Sequence, residues 1–152
     1  MNTFSPDAFK DHRSTVAVRN DLAARRKARG VNLAILARQQ GAALFALTRF
    51  RLDSSAQAAL ARLLAAGVAE DPWTAATSRD LRATIRGLTV AVGRLDPAIA
   101  AADRLRWQLD RLRELAAQDA HIAVLEAALE AFWPVGLKAV LRQRAASTRK
   151  RR

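Results

Sequence analysis

Residues 81–116 read LRATIRGLTVAVGRLDPAIAAADRLRWQLDRLRELA. Leu81, Ile85, Leu88, Val92 and Leu95 fall at steps of four and three, and after Asp96-Pro97 the rhythm resumes as Ala98, Ala102, Leu105, Leu109, Leu112 and Ala116. That spacing follows the turn of an α-helix, so the stretch predicts two helices, each with one apolar seam, joined by a short turn. Such seams are stable only when buried against other elements. No stretch of the chain alternates with period two, and there is no Asn-Gly or Asp-Gly hairpin signal. The expected fold class is all-α, a helical bundle of six to seven mostly antiparallel helices, because short connections favour antiparallel neighbours.

Working outward, caps and glycines punctuate the rest. Ser5-Pro6-Asp7 starts a first helix that Gly30 ends, and Asn32 caps a second over roughly 33–52. Asp53-Ser54-Ser55 caps a third, closed by Gly67 with Val68 behind it. Residues 69–77 are the least regular interior stretch, with Asp71-Pro72 forming a turn that seats Trp73. Thr77 with Asp80 makes a capping-box pattern before the helix of Leu81 to Leu95, and Asp96-Pro97 caps the next, to about Gln118. Asp119 caps a further helix with Ile122, Leu125, Leu129 and Phe132 or Trp133 on its apolar face, until Pro134 breaks or kinks it before Leu137, Val140 and Leu141. Residues 1–144 are expected to form a single helical-bundle domain and 145–152 a basic tail.

With 152 residues the chain can bury a sizeable core, and the absence of cysteine excludes disulfides, thiolate zinc sites and a cysteine nucleophile. The uncharged stretch Gln39 to Thr48 is far shorter than the roughly 20 residues of a membrane-spanning helix, and Met1-Asn2-Thr3-Phe4 does not open a secretory signal. The cytoplasm is the expected location.

Net charge is +12, and its distribution is uneven. Residues 1–51 carry ten basic and three acidic side chains, net +7, and residues 138–152 carry seven basic and no acidic ones, net +7. The middle is nearly neutral, so the excess lies at the two ends. Strongly basic chains of this kind bind nucleic acid through its phosphates. Arg25, Arg26, Lys27 and Arg29 form one cluster; one or two cations suffice to complement a helix C-terminus, whereas four need counter-charge. Lys138, Arg142, Arg144, Arg149, Lys150, Arg151 and Arg152 form a second, which also fits a passive basic end or a localisation signal.

A third candidate is the back of the helix containing Leu81. At 100° per residue, Arg79, Arg82 and Arg86 share about one third of its circumference, opposite the leucine seam, with no acid placed to neutralise them. The following helix differs: Arg104, Arg106, Arg111 and Arg113 interleave with Asp103, Asp110 and Glu114 at i+3 and i+4, as on a solvated, self-paired face. Trp107 sits on that face, where an indole is covered by another helix or subunit, or stacks on a base. Arg38 and Arg49, eleven residues apart and so on one helix face, flank Phe45 and offer a partner-binding surface with Trp107. A helix-turn-helix reading of residues 37–50 is disfavoured, because Leu44 and Phe45 would stand where polar side chains read base edges.

No catalytic residue, metal site or cofactor is expected. His12 and His121 are far apart and form no metal triad, Glu126 and Glu130 share a helix face as solvent-facing carboxylates do, and the glycines lack phosphate-loop spacing. In size, helical content and basic edges the chain resembles the small helical subunits of class 1 multi-subunit CRISPR effector complexes. The resemblance implies a non-catalytic subunit that contacts guide RNA or target strand beside other protein subunits, and phage or plasmid accessory DNA-binding proteins share the profile. The expected function is sequence-tolerant binding of the RNA or DNA phosphate backbone within a larger assembly that includes other subunits or copies of the chain itself. The alternative is a helical interaction or oligomerisation module whose basic ends meet an acidic partner or an anionic membrane surface, the latter helped by Phe132 and Trp133.

Overall fold

A computed structural model describes residues 12–69 and 72–132. Among these residues every regular element is helical. Helix α1 spans His12–Ile35, a π-helical turn follows at Leu36–Gln40, and α2 spans Gly41–Thr48. Helix α3 spans Ser54–Ala69, α4 Ala75–Gly93 and α5 Ala100–Phe132. Because α1, the π-turn and α2 join without a break, the described residues hold four continuous helical rods; the segment expected beyond Pro134, with Leu137, Val140 and Leu141, and the start expected at Ser5-Pro6-Asp7 lie outside them.

Two residues expected to be caps lie inside helices. Asn32 lies inside α1 and donates its Nδ2 to Gln118 Oε1 at 3.0 Å. Asp119 lies inside α5 and accepts from Arg29 Nη1 at 2.6 Å. Both side chains are used across helices, so the backbone has no competing local bond and the helices run through. Gly30 is likewise interior to α1, exposed, with nothing within 4 Å of a Cβ built on it. Glycine costs a helix interior about 1 kcal/mol relative to alanine, less than the packing of the flanking leucines contributes. Gly30→Ala is therefore expected to raise stability by about 1 kcal/mol and the melting temperature by about 2–4 °C, read by thermal unfolding. A helix end at Gly30 would give the opposite sign.

The π-turn also has a sequence cause. Arg29, Leu33, Ala37 and Gly41 are all buried, yet four-residue steps overshoot a full α-turn by about 40° each. The wider i→i+5 turn at Leu36–Gln40 absorbs that drift and keeps the stripe on one side. The unbroken passage into α2 leaves no separate turn for a helix-turn-helix.

Other boundaries follow their caps. Asp53 accepts from Ala56 N at 2.7 Å, as expected. The capping box of α4 is Thr74 with Thr77, three residues upstream of the expected Thr77–Asp80 pair. Asp80 instead binds Arg62 of α3, with Arg62 Nη2 at 3.0 Å. Asp96 accepts from Ala98 N at 3.0 Å and the chain turns before α5 begins at Ala100. Gly67 does not close α3; it lies under the α1–π segment, and the helix continues to Ala69.

The described residues divide into two compact units, one of residues 25–120 and one that takes in residues 12–24 and 121–132; the expected basic tail, 145–152, lies outside the described residues. In the larger unit one core gathers leucines from every helix, among them Leu33, Leu44, Leu60, Leu63, Leu81, Leu88, Leu105 and Leu112. Fully burying a leucine contributes roughly 1.5–3 kcal/mol. Alanines and glycines let the helices approach, Ala56 and Ala59 being buried in α3. Thr48 and Thr84, buried at 1% and 0%, donate their hydroxyls to Leu44 O and Asp80 O at 2.8 Å, so the core carries no orphan hydroxyl there. In the smaller unit Leu22 packs with Ile122, Leu125 and Leu129.

Candidate nucleic-acid interface

The α4 arginine stripe is built by the same periodicity that builds the core. Thr77, Leu81, Thr84, Leu88 and Ala91 are the buried positions of α4, and at 100° per residue Arg79, Arg82 and Arg86 lie on the diametrically opposite side. All three are exposed. Asp80, the one acid within α4, is held by Arg62, whose guanidinium pKa is raised by that hydrogen bond and by the carboxylate charge. Among the described residues no carboxylate pairs with Arg79, Arg82 or Arg86. Helix α5 adds a neighbour that the sequence did not single out: Arg113 Nη2 donates to Thr89 Oγ1 at 3.4 Å, beside the stripe. Its contact with Asp110 is long, 3.8 Å. Only the packing of α5 against α4 reveals this, since along α5 itself Arg113 reads as self-paired.

Of the other α5 arginines expected to be self-paired, Arg106 and Arg111 are paired as their spacing implies, and Arg104 has no ion pair among the described residues. Arg106 meets Asp103 at 2.9 Å and Arg111 meets Glu114 at 3.3 Å, each an exposed i,i+3 pair. Pairs of this kind contribute only a few tenths of a kcal/mol, enough to occupy the arginines without fixing them.

The Arg25–Arg29 cluster divides. Arg26 and Lys27 are exposed and Arg25 is half-buried. Arg29, expected to face phosphate, is 6% exposed, bound to Asp119 at 2.6 Å and stacked over the Trp73 ring at 4.4 Å. Trp73 is fixed in turn by its indole N–H, which donates to Ser78 Oγ at 2.8 Å. The physical reason is register: Arg29 stands seven residues after Leu22 and four before Leu33, both buried, so it belongs to the core stripe. Lys138, Arg142, Arg144, Arg149, Lys150, Arg151 and Arg152 lie outside the described residues.

Of the expected partner-binding residues, Arg38 falls in the π-turn and Arg49 just past α2. The π-turn alters the phase between them, and the Arg49 guanidinium stacks on the Phe50 ring at 5.2 Å. Phe45 is 41% exposed. Trp107 is 48% exposed, with the Arg111 guanidinium 5.3 Å from its ring. It borders a cavity of about 600 Å³ between α2 and α5, lined by Ala43, Ala46, Leu47, Asp103, Arg104, Trp107 and Gln108. That cavity was not foreseeable, because part of its wall, Ala43, Ala46 and Leu47, comes from α2.

Among the described residues no group of three His, Cys, Asp or Glu side chains is placed to hold a metal ion, and no helix is long and apolar enough to cross a membrane. Comparison with protein-family models, with curated proteins and with solved structures finds no match to this chain.

Proposed function

We propose that the chain is a non-catalytic, cytoplasmic nucleic-acid-binding subunit that holds a phosphate backbone without reading sequence, as part of a larger assembly. The observation that carries this reading is the exposed line of Arg79, Arg82 and Arg86 opposite the buried face of α4, while the acids nearby are taken by other arginines. Arginine forks on one rigid helix suit repeated phosphate oxygens, and such contacts position a strand without specifying bases. Arg26 and Lys27 present further positive charge on α1. A CRISPR RNA-guided effector complex is one such assembly, since the chain resembles its small helical subunits in size, helical content and basic edges.

The test is a salt titration of binding to labelled random-sequence RNA and DNA by fluorescence anisotropy. Six phosphate contacts would give a log-log slope of about −4 to −5. Replacing Arg79, Arg82 and Arg86 together by alanine is expected to reduce the slope's magnitude by about 2–3. Arg106→Ala, which removes an arginine already paired with Asp103, is expected to change it far less. A slope unmoved by the triple variant would remove α4 from the interface.

A second reading, a protein-interaction module, is favoured by the exposed aromatic residues Phe45, Phe50 and Trp107. Its marker would be purified protein free of nucleic acid that binds anionic vesicles or an acidic protein.

A further inference from the structure

The outward face of α5 around Trp107 has a charge order that only one kind of partner matches on every position. Counting from Trp107, Asp103 and Arg111 stand four residues before and after, and Arg104 and Asp110 stand three before and after. Each pair is opposite in sign, and all four side chains are exposed, as is Trp107. When two identical helices cross antiparallel on a two-fold axis, the residue n places before the axis meets the residue n places after it on the other copy. With the axis at Trp107, Asp103 faces the second copy's Arg111 and Arg104 faces its Asp110, with every contact made twice. Moving the axis by half a residue either way sets Asp103 against Asp110, or Arg104 against Arg111. A parallel pairing sets every charge against itself. The sequence therefore selects one register and excludes its neighbours.

The surface beside this line is apolar. The cavity of about 600 Å³ next to Trp107 has Ala43, Ala46 and Leu47 as its α2 wall, a concave seat for a tryptophan ring. Gln108 at its edge is 5% exposed, and its Oε1 is buried without a hydrogen-bond partner among the described residues. The pairs these charges make within α5, Arg106 with Asp103, Arg111 with Glu114 and Arg113 with Asp110, are exposed and weak enough to share or exchange.

We propose that this face is a self-association surface: a second copy of the chain docks antiparallel across α5, with Trp107 on the two-fold axis and the Asp103–Arg111 and Arg104–Asp110 pairs fixing the register. The proposal is independent of nucleic-acid binding, and its test is run on full-length protein treated with nuclease and washed in high salt, then returned to moderate salt. Sedimentation velocity from about 1 to about 100 μM is expected to show a monomer converting to a species of twice the mass. Asp103→Arg is expected to weaken the dimer by at least about tenfold, and adding Arg111→Asp to that variant to restore it. Arg104→Asp with Asp110→Arg repeats the exchange at the other pair, and Trp107→Ala weakens the dimer without a compensating partner. Circular dichroism confirms the helical content of each variant, and recovery in a double variant itself shows that the chain folds. A monomer at every concentration overturns the proposal, as it would if another segment or another protein covers this face. So does a dimer indifferent to Trp107→Ala, or a charge-exchanged double variant no tighter than its single parents.

Discussion

Arg29→Ala is expected to lower stability by about 3–5 kcal/mol, with a fall in melting temperature on the order of 10 °C. The guanidinium is buried, meets Asp119 at 2.6 Å and covers the Trp73 ring, so truncation empties a packed site and strips a part-buried carboxylate of its ion pair. Removing one partner of a buried pair costs far more than the pair contributes over an apolar substitute. Arg29→Met combined with Asp119→Leu is accordingly expected to lose much less than the two single changes added together, which thermal unfolding of the cycle measures. The same variants separate a structural from a phosphate-binding role. Nucleic-acid affinity of folded Arg29→Ala, measured well below its melting temperature, is expected to stay within about twofold of the parent. A large loss of affinity with unchanged stability would reverse the assignment.

Gly67→Val is expected to cost about 3 kcal/mol or more, and Gly67→Ala about 1–3 kcal/mol. A Cβ at Gly67 would lie 2.7 Å from Ala37 Cβ, 2.9 Å from the Leu33 carbonyl oxygen and 3.1 Å from Leu33 Cγ. The carbonyl belongs to a helix backbone and cannot swing aside, so α3 must move off α1 and the π-turn. The direction is informative because helix propensity alone favours alanine over glycine by about 1 kcal/mol. Gly30→Ala, with open space around it, follows propensity, whereas Gly67→Ala follows packing. Urea unfolding of the two alanine variants side by side should therefore give shifts of opposite sign. Gly87 belongs with Gly67, since its Cβ would lie 2.6 Å from Ala56 Cβ.

The helical class and the exposed line on α4 were legible because both depend on periodicity along a single element. Leu81, Leu88, Leu105 and Leu112 are buried as their spacing requires, and the opposite side of α4 is exposed for the same geometric reason. The pairing of Arg106 and Arg111 is equally local, an i,i+3 relation complete within one helix. Caps were less legible. A short polar residue beside an apolar run has the same composition whether its side chain turns back to its own backbone, as Asp53 does, or reaches another helix, as Asn32 and Asp119 do.

Tertiary structure alone decided everything that requires two elements to meet. The burial of Arg29 depends on Asp119, ninety residues away, and on Trp73; a count of cations near a helix end cannot register either. Gly67 has the same local signature as a helix-ending glycine, and only the approach of Leu33 and Ala37 shows that it is there for want of a side chain. The cavity beside Trp107 exists because α2 supplies Ala43, Ala46 and Leu47. The sequence by itself determined the inward and outward faces of α4 and α5, because those follow from 3.6 residues per turn along one unbroken helix. Which charges are spent between helices, as Arg29 is on Asp119 and Arg62 on Asp80, was settled by the packing of one helix on another.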